Sequence, residues 1–449
     1  MKVMIVGAGA REHAIAWQLA RSQSVTQLWV APGNGGTALL QPLNRSESVT
    51  ARLGSPIPPA PEPTNVAIAA DDVPGLTRFA REHAADLVVV GPEVPLALGL
   101  VDALVEAGVP AFGPTRDAAR LESSKAWAKD FMARHGIPTA RYAAFSEFDA
   151  ALKHLLGVDY DVVLKADGLA AGKGVLIPSC ADEAEKALRR ILLDREFGPA
   201  GNTVVIEERL QGEEVSLMAF VDGETIVPML PAQDHKRLLD GDAGPNTGGM
   251  GAICPAPNCP PELVEEIGRT VLAPTLAGLR ADGIVYRGVL YAGLMLTTSG
   301  PMVLEYNCRL GDPETECVLP LLQTDLYDIC VACATGTLAS VPIRWRPGAC
   351  ATIVLASGGY PGAYQKGLPI AGAEEADEQP DCVVFHAGTR RAGDVLLTDG
   401  GRVLAVSALG DTLDAALRWA YTNLPYIKFD GMHFRRDIGA QALHREHRG

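Results

Sequence analysis

The sequence has no run of about 18 apolar residues free of charge and proline, so it offers no candidate membrane-spanning helix. Its first apolar run, VMIVGAGA, stops at Arg11 and Glu12 and reads as a strand and turn, so no secretory signal is expected. Positive charge is in deficit: 39 Lys+Arg stand against 54 Asp+Glu, a formal net charge of −15. That balance disfavours a generic nucleic-acid binder or a polybasic membrane-surface protein. It does not exclude an anionic small ligand, which a few lysines and backbone amides can hold. A disulfide framework is also missing. The cysteines number nine, an odd count at irregular spacing in a long chain. The one Cys-x-x-Cys pair, Cys330 and Cys333, lies in an apolar helical stretch without further ligands and reads as two buried thiols. A reducing, cytoplasmic setting is expected.

What is present is a chain of 449 residues and 47.3 kDa. At roughly 150 residues per domain it is long enough for about three. Hydrophobic residues at 47% and charged residues at 21% are ordinary for a globular protein. The 47 glycines exceed the usual share of about 7%. Many cluster at Gly7–Gly9, Gly33–Gly36, Gly168–Gly174 and Gly241–Gly251, where bare backbone can approach a phosphate.

Residues 1–122 alternate strand-like and helical runs, which predicts a parallel sheet with helices on its faces. Strands are expected at Lys2–Val6, Leu28–Val30, Val66–Ala69, Leu87–Val90 and Pro110–Phe112. Helices are expected at Arg11–Ser22, Gly75–His83 and Leu96–Ala107. The segment Asn44–Pro63, with five prolines from Pro56 onward, reads as a surface loop. Residues 123–336 open with a helix over Ser123–His135 and then place strands in consecutive pairs, an α+β pattern. Within them, Ala232–Ile253 is polar, glycine-rich and aperiodic, and is expected to be a functional loop. Residues 337–449 read as a small mixed α/β unit.

Gly7-Ala8-Gly9-Ala10-Arg11-Glu12-His13 follows the first strand directly. A dinucleotide fingerprint needs glycine where Glu12 stands, which counts against NAD. What remains is a glycine turn whose amides can hold an anion; a plain strand-to-helix turn accounts for it equally well. Lys165 to Val175, KADGLAAGKGV, is not a Walker loop: Gly168 and Gly172 are one residue too close, and Gly174 replaces the hydroxyl residue. Two lysines, Lys165 and Lys173, in a run of small residues favour phosphate binding. Glu305 and Asn307 lie two apart on a predicted strand and so share a face. A carboxylate and an amide oxygen suit magnesium. Arg309 joins them if the strand persists. Glu207, Glu208, Glu213 and Glu214 by themselves are an acidic turn.

Together the stretches SKAWAKDF, VVLKADGLAAGKGV, VIEERLQGEE, QDHKR, GPNTGGMGA, GVLYAGLM and LEYNCRLGDPETE resemble the phosphoribosylamine–glycine ligase family, the glycinamide ribonucleotide synthetases. GAGAREHA, APGNGGTAL, VGPEVPL, FGPT and the tail through FRRDIGAQAL are similar to the same family. The resemblance implies an α/β and α+β multidomain ATP-grasp enzyme of purine biosynthesis. Its parts would be a Rossmann-like pre-ATP-grasp unit (1–122), an ATP-grasp unit (123–336, dividing near residue 200) and a C-terminal unit (337–449). The implied reaction joins glycine to phosphoribosylamine with ATP, using Mg2+ or Mn2+, in a cytoplasmic monomer that binds no nucleic acid or membrane.

By position, the resemblance puts Lys125 and Lys165 on the nucleotide phosphates, under a mobile loop from Gly168 through Gly172 and Lys173 to Gly174. Glu207, Glu208 and Leu210 would flank adenine through backbone and apolar contact, and Glu214 would take the ribose. Glu305 and Asn307 would hold the metal. Arg309, with Lys165 and Asp312, would serve the chemical step. Gly9, Arg11, Glu12 and His13 would seat the ribose phosphate. Asp234, Lys236, Arg237 and Glu314 would line the place where glycine and the amine meet. The sequence departs from the family at Ala10, commonly glycine there, and in the added Asn44–Pro63 segment.

Overall fold

The computed structural model describes residues 1–39, 61, 63–170 and 174–446. Asn44–Pro63 lies outside them except for Pro61 and Pro63, as do Gly172 and Lys173.

The N-terminal sheet is wholly parallel, in the order Thr64–Asn65, Gln27–Pro32, Lys2–Gly7, Leu87–Val90, Ala111–Phe112. Val3, Met4, Ile5 and Val6 are all buried, as central parallel strands must be when helices cover both faces. The strand order reverses between Lys2–Gly7 and Leu87–Val90, and such a reversal opens a crevice at the strands' carboxyl ends. The expected strand at Val66–Ala69 is absent. Pairing stops at Asn65, and the Ile68 N–H bonds back to Val66 O at 2.7 Å. The expected helix over Leu96–Ala107 is broken into Glu93–Ala97 and Leu100–Glu106 by Gly99, whose φ of +86° is left-handed.

The central unit carries two antiparallel sheets. One runs Tyr142–Phe145, Val204–Glu208, Val162–Ala166, Val175–Leu176; the other runs Ile226–Pro228, Glu213–Val221, Gly288–Thr297, Gly300–Asn307. The chain crosses from the first to the second between Glu208 and Glu213. The expected opening helix starts later: Ser124 is extended and caps Lys125–Arg134 by accepting the Trp127 N–H.

Ala232–Ile253 is not a structureless loop. It gives strands Gln233–Asp234 and Gly251–Cys254 and a hairpin of Arg237–Leu239 with Ala243–Asn246. The two strands join a sheet completed by Ala349–Ala356, Arg402–Gly410 and Cys382–His386. Gln233–Asp234 pairs with Gly251–Cys254, whose other neighbour, Ala349–Ala356, lies far downstream, so local periodicity carried no sign of the sheet.

Helix Ala10–Leu19 is buried along its whole length, between its own sheet, helix Glu314–Val318 and strand Cys382–His386. Trp17 meets Phe385 edge-to-face at 5.8 Å. One core cluster contains Ile15, Cys317 and Phe385 together, tying all three parts of the chain. Each such large apolar side chain contributes about 1.5–3 kcal/mol by leaving water.

Candidate active site

Lys165 stands near the end of strand Val162–Ala166 and reaches out of its sheet. Its Nζ donates to Leu304 O at 2.9 Å and lies 3.1 Å from Glu207 Oε1. Glu207, on the neighbouring strand, is also 2.8 Å from Lys129 Nζ, which donates to Thr139 Oγ1 at 2.7 Å. The buried carboxylate is thus charge-paired on both sides. Burial, offset by Glu207, brings the Lys129 ammonium down to about 8. Lys125 begins the capped helix and donates to Gly168 O at 2.9 Å. Asp167 staples the following loop to that helix, accepting from Ala126 N at 3.1 Å and Ser124 Oγ at 3.3 Å.

These elements converge on Glu305 in strand Gly300–Asn307. Burial opposes its charge, but Lys236, Lys165, Lys125 and Arg309 outweigh it and hold the carboxyl below its ordinary value. Lys236 lies 2.7 Å from Glu214; burial works against the ammonium, yet Glu214 and Glu305 keep it well above its usual range. The strand ends at Asn307, so Arg309 does not share a strand face with Glu305 and Asn307 as expected. It comes back from the next turn, donating to Asn307 Oδ1 at 3.2 Å and pairing with Glu122 at 2.9 Å. Glu93 lies 3.5 Å from its Nε, which has no hydrogen bond among the described residues.

Beyond Arg309 the charge reverses. Glu314 accepts from Ser216 Oγ at 2.9 Å and from the Tyr291 hydroxyl. Asp234 Oδ1 is buried without a partner among the described residues; burial and Glu314 push this carboxyl well above its ordinary value. Asp312 pairs with Arg402 at 2.9 Å. Arg11 pairs with Glu12 and donates to Leu310 O at 3.2 Å.

Several of the expected site residues have partners within the protein itself. The Gly9 amide is not free for a phosphate: it donates to Glu12 Oε2 at 2.6 Å. The Glu12 side chain fills the crevice so closely that a Cβ on Gly7 or Gly91 would fall within 2.5 Å of it. His13 does not line the crevice. It is buried against Phe385 and His386, and its Nδ1 accepts the His386 N–H at 2.8 Å. Burial holds it neutral, with its pKa at about 3. Arg237 turns into its own hairpin and donates to Gly244 O at 2.7 Å, away from Lys236's partners. Glu208 pairs outward with Arg141 at 2.9 Å, and Leu210 lies half-buried on the link between the two sheets.

Residues 1–122 match the phosphoribosylglycinamide synthetase N domain, residues 123–315 its ATP-grasp (A) domain, and residues 350–441 its C domain. The chain belongs to the phosphoribosylglycinamide synthetase family. It is 51% identical over 447 residues to a phosphoribosylamine–glycine ligase of Allochromatium vinosum, covering 99% of this chain and 100% of the relative. The crystal structure of a phosphoribosylamine–glycine ligase from Thermotoga maritima matches with a TM-score of 0.80 and 34% identity, over 97% of this chain and all of that one. The biotin carboxylase domain of the Hydrogenobacter thermophilus 2-oxoglutarate carboxylase, solved with MgADP, ADP and bicarbonate, shares the fold. Its TM-score is 0.70 at 15% identity, over 96% of this chain and 91% of that one.

Sequence reasoning missed Lys129, Glu93, Glu122, Tyr291 and Arg402. Lys129 had a signal: it stands four residues after Lys125, on the same helix face. Arg402 had none.

Proposed function

We infer that this protein joins glycine to phosphoribosylamine with cleavage of ATP, giving glycinamide ribonucleotide, ADP and phosphate in purine biosynthesis. The observation that carries the reading is the set of four cations around Glu305, in a chain that matches the family from end to end. Glycine's carboxylate is a poor acyl electrophile. Taking up the γ-phosphoryl group makes it glycyl phosphate, which has a good leaving group; the amine of phosphoribosylamine then attacks its carbonyl carbon and phosphate departs. Lys125, Lys165 and Arg309 offset negative charge at the transferring group. The Arg309 Nε, a donor without an acceptor among the described residues, is suited to that group.

Glu305 and Asn307 are the residues that would hold a divalent cation. They supply two oxygen donors, and no group of three or more carboxylate, His or Cys ligands occurs among the described residues. That fits magnesium, or manganese on the same hard donors, which takes few protein ligands and completes its shell with phosphates and water. Bound there, it would neutralise phosphate charge and orient the nucleotide. The carboxylates at Asp234, Asp312 and Glu314 suit the amines of the two substrates. No described helix is long and apolar enough to cross a membrane. A cytoplasmic monomer is the working unit this reading implies.

The test is ADP release by purified protein with ATP and magnesium. Release should require glycine and phosphoribosylamine together. ATP binding without ADP release in the presence of both would overturn the reading.

A further inference from the structure

The C-terminal unit reaches the acidic end of the site through Arg402 and Tyr360. Arg402 Nη1 donates to Gly248 O at 2.6 Å and to Asp312 O at 2.9 Å, and lies 2.9 Å from Asp312 Oδ1. Tyr360, from the same unit, accepts the Gly248 N–H on its hydroxyl at 2.9 Å. Gly248 is therefore held at both its donor and its acceptor. The turn has no room for side chains: a Cβ on Gly249 would lie 2.4 Å from Pro313 Cδ and 2.7 Å from Asp234 Oδ1. Its φ of +115° is likewise open only to glycine. So the Gly248–Gly249 turn is wedged between Pro313 and Asp234, with Arg402 closing it from behind. A Cβ on Gly9 would lie 3.3 Å from Asp312 Oδ2. The Asp312 carboxylate thus spans from the N-terminal glycine turn to the C-terminal arginine.

Glu316 sets the charge behind this junction. It is fully buried, and neither of its oxygens has a hydrogen-bond partner among the described residues. A carboxylate so placed costs least as a neutral acid. In that form it does not compete with Asp312 for the Arg402 charge.

We propose that Arg402 is a positioning residue for the amine-bearing substrates, fixing the Asp312 carboxylate and the glycine turn that backs Asp234. The C-terminal unit would then shape this end of the site without touching ATP. The inference rests on the functional reading above.

Arg402→Met and Arg402→Lys are compared with the unaltered protein by steady-state ADP release, with separate KM values for glycine, phosphoribosylamine and ATP. Arg402→Met should raise the KM for glycine, for phosphoribosylamine or for both by about tenfold or more, with the ATP value within about twofold. Which of the two rises tells which amine Asp312 faces. Added guanidinium ion should restore part of the loss and urea should not, and Arg402→Lys should fall between. Unchanged KM values for both amines, or an ATP value rising in step with them, would overturn the proposal. If Arg402→Met does not fold, Tyr360→Phe removes only the hydroxyl behind Gly248. It should raise the same KM by about threefold, and no change would overturn the proposal equally. Loss of ADP release in the unaltered protein would sink the functional reading itself; an active protein indifferent to these changes sinks the positioning role alone.

Discussion

Four cations, Lys125, Lys165, Lys236 and Arg309, act together on Glu305, whereas beyond Arg309 the carboxyl groups of Asp234, Asp312, Glu314 and Glu316 crowd near Arg402 and Arg11. The first region spends its charge on a carboxyl held below its ordinary value. The second holds Asp234 and Glu316 well above theirs, through burial and carboxylate neighbours. Buried groups at each end are thus tuned in opposite directions by the same means, desolvation weighed against the sign of the neighbours. On the proposed reading the cation-lined end would take phosphate and the acidic end the amine substrates, with Arg309 between them.

The sharpest way to break this comparison is Glu305→Gln. It removes the acidic group at the centre of four cations and one of the two proposed metal oxygens. Turnover should fall by about 10³-fold, read as ADP release at saturating substrates. Turnover near the unaltered rate would mean the cations merely balance a structural carboxylate.

Lys165→Met comes next. It takes one donor from the phosphate end and leaves Glu207 with Lys129 alone. The rate should fall by about 10²-fold. Half-pairing a carboxylate that is 2% exposed should also lower stability by about 3 kcal/mol. Urea unfolding measures the second effect, and an unchanged midpoint would show that Lys129 suffices for Glu207.

Asp234→Asn probes the other end with a neutral isostere. The KM for an amine substrate should rise by about tenfold or less, with ATP unaffected. Stability should move the opposite way. The folded-state carboxyl titrates well above its ordinary value, so its contribution is whole below the usual aspartate range and is lost as pH rises through the raised value. The variant should therefore be more stable than the unaltered protein at neutral pH, and less changed at pH 3. A variant destabilised at neutral pH would show that Asp234 is ionised and paired in the native state.

The two ends also differed in how readable they were. Lys165, Glu305 and Asn307 stand out because each sits at a strand end or at a spacing of two, where local pattern carries the chemistry, whereas Lys125, which opens a helix, was reached only through the resemblance. The carboxylate end is assembled from a short strand at Asp234, a turn at Asp312 and the start of a C-terminal strand at Arg402. Only tertiary pairing brings those together, and it is the same pairing that turned the aperiodic Ala232–Ile253 stretch into sheet. The glycine turn at Gly7–Gly9 read equally as an anion site and as a plain strand-to-helix turn. Nothing in the spacing says that Glu12 folds back onto the Gly9 amide.

His13 offers the mildest test, because it sits in the N-terminal turn yet belongs to neither end. Buried and neutral, it titrates at about 3 in the folded protein, against an ordinary histidine value of about 6.5. The unfolded chain therefore binds the extra proton first as pH falls. Stability from this residue is whole above about 6.5 and is lost toward 3, by at most about 1.4 kcal/mol per pH unit. His386, which packs against it and is also held below its usual value by burial and by His13, steepens the same slope. In His13→Asn the amide oxygen can replace Nδ1 as acceptor for the His386 N–H. This variant should keep all three substrate KM values while its stability falls less steeply between pH 6.5 and 3 in urea titrations. A raised KM for phosphoribosylamine would return His13 to the substrate side.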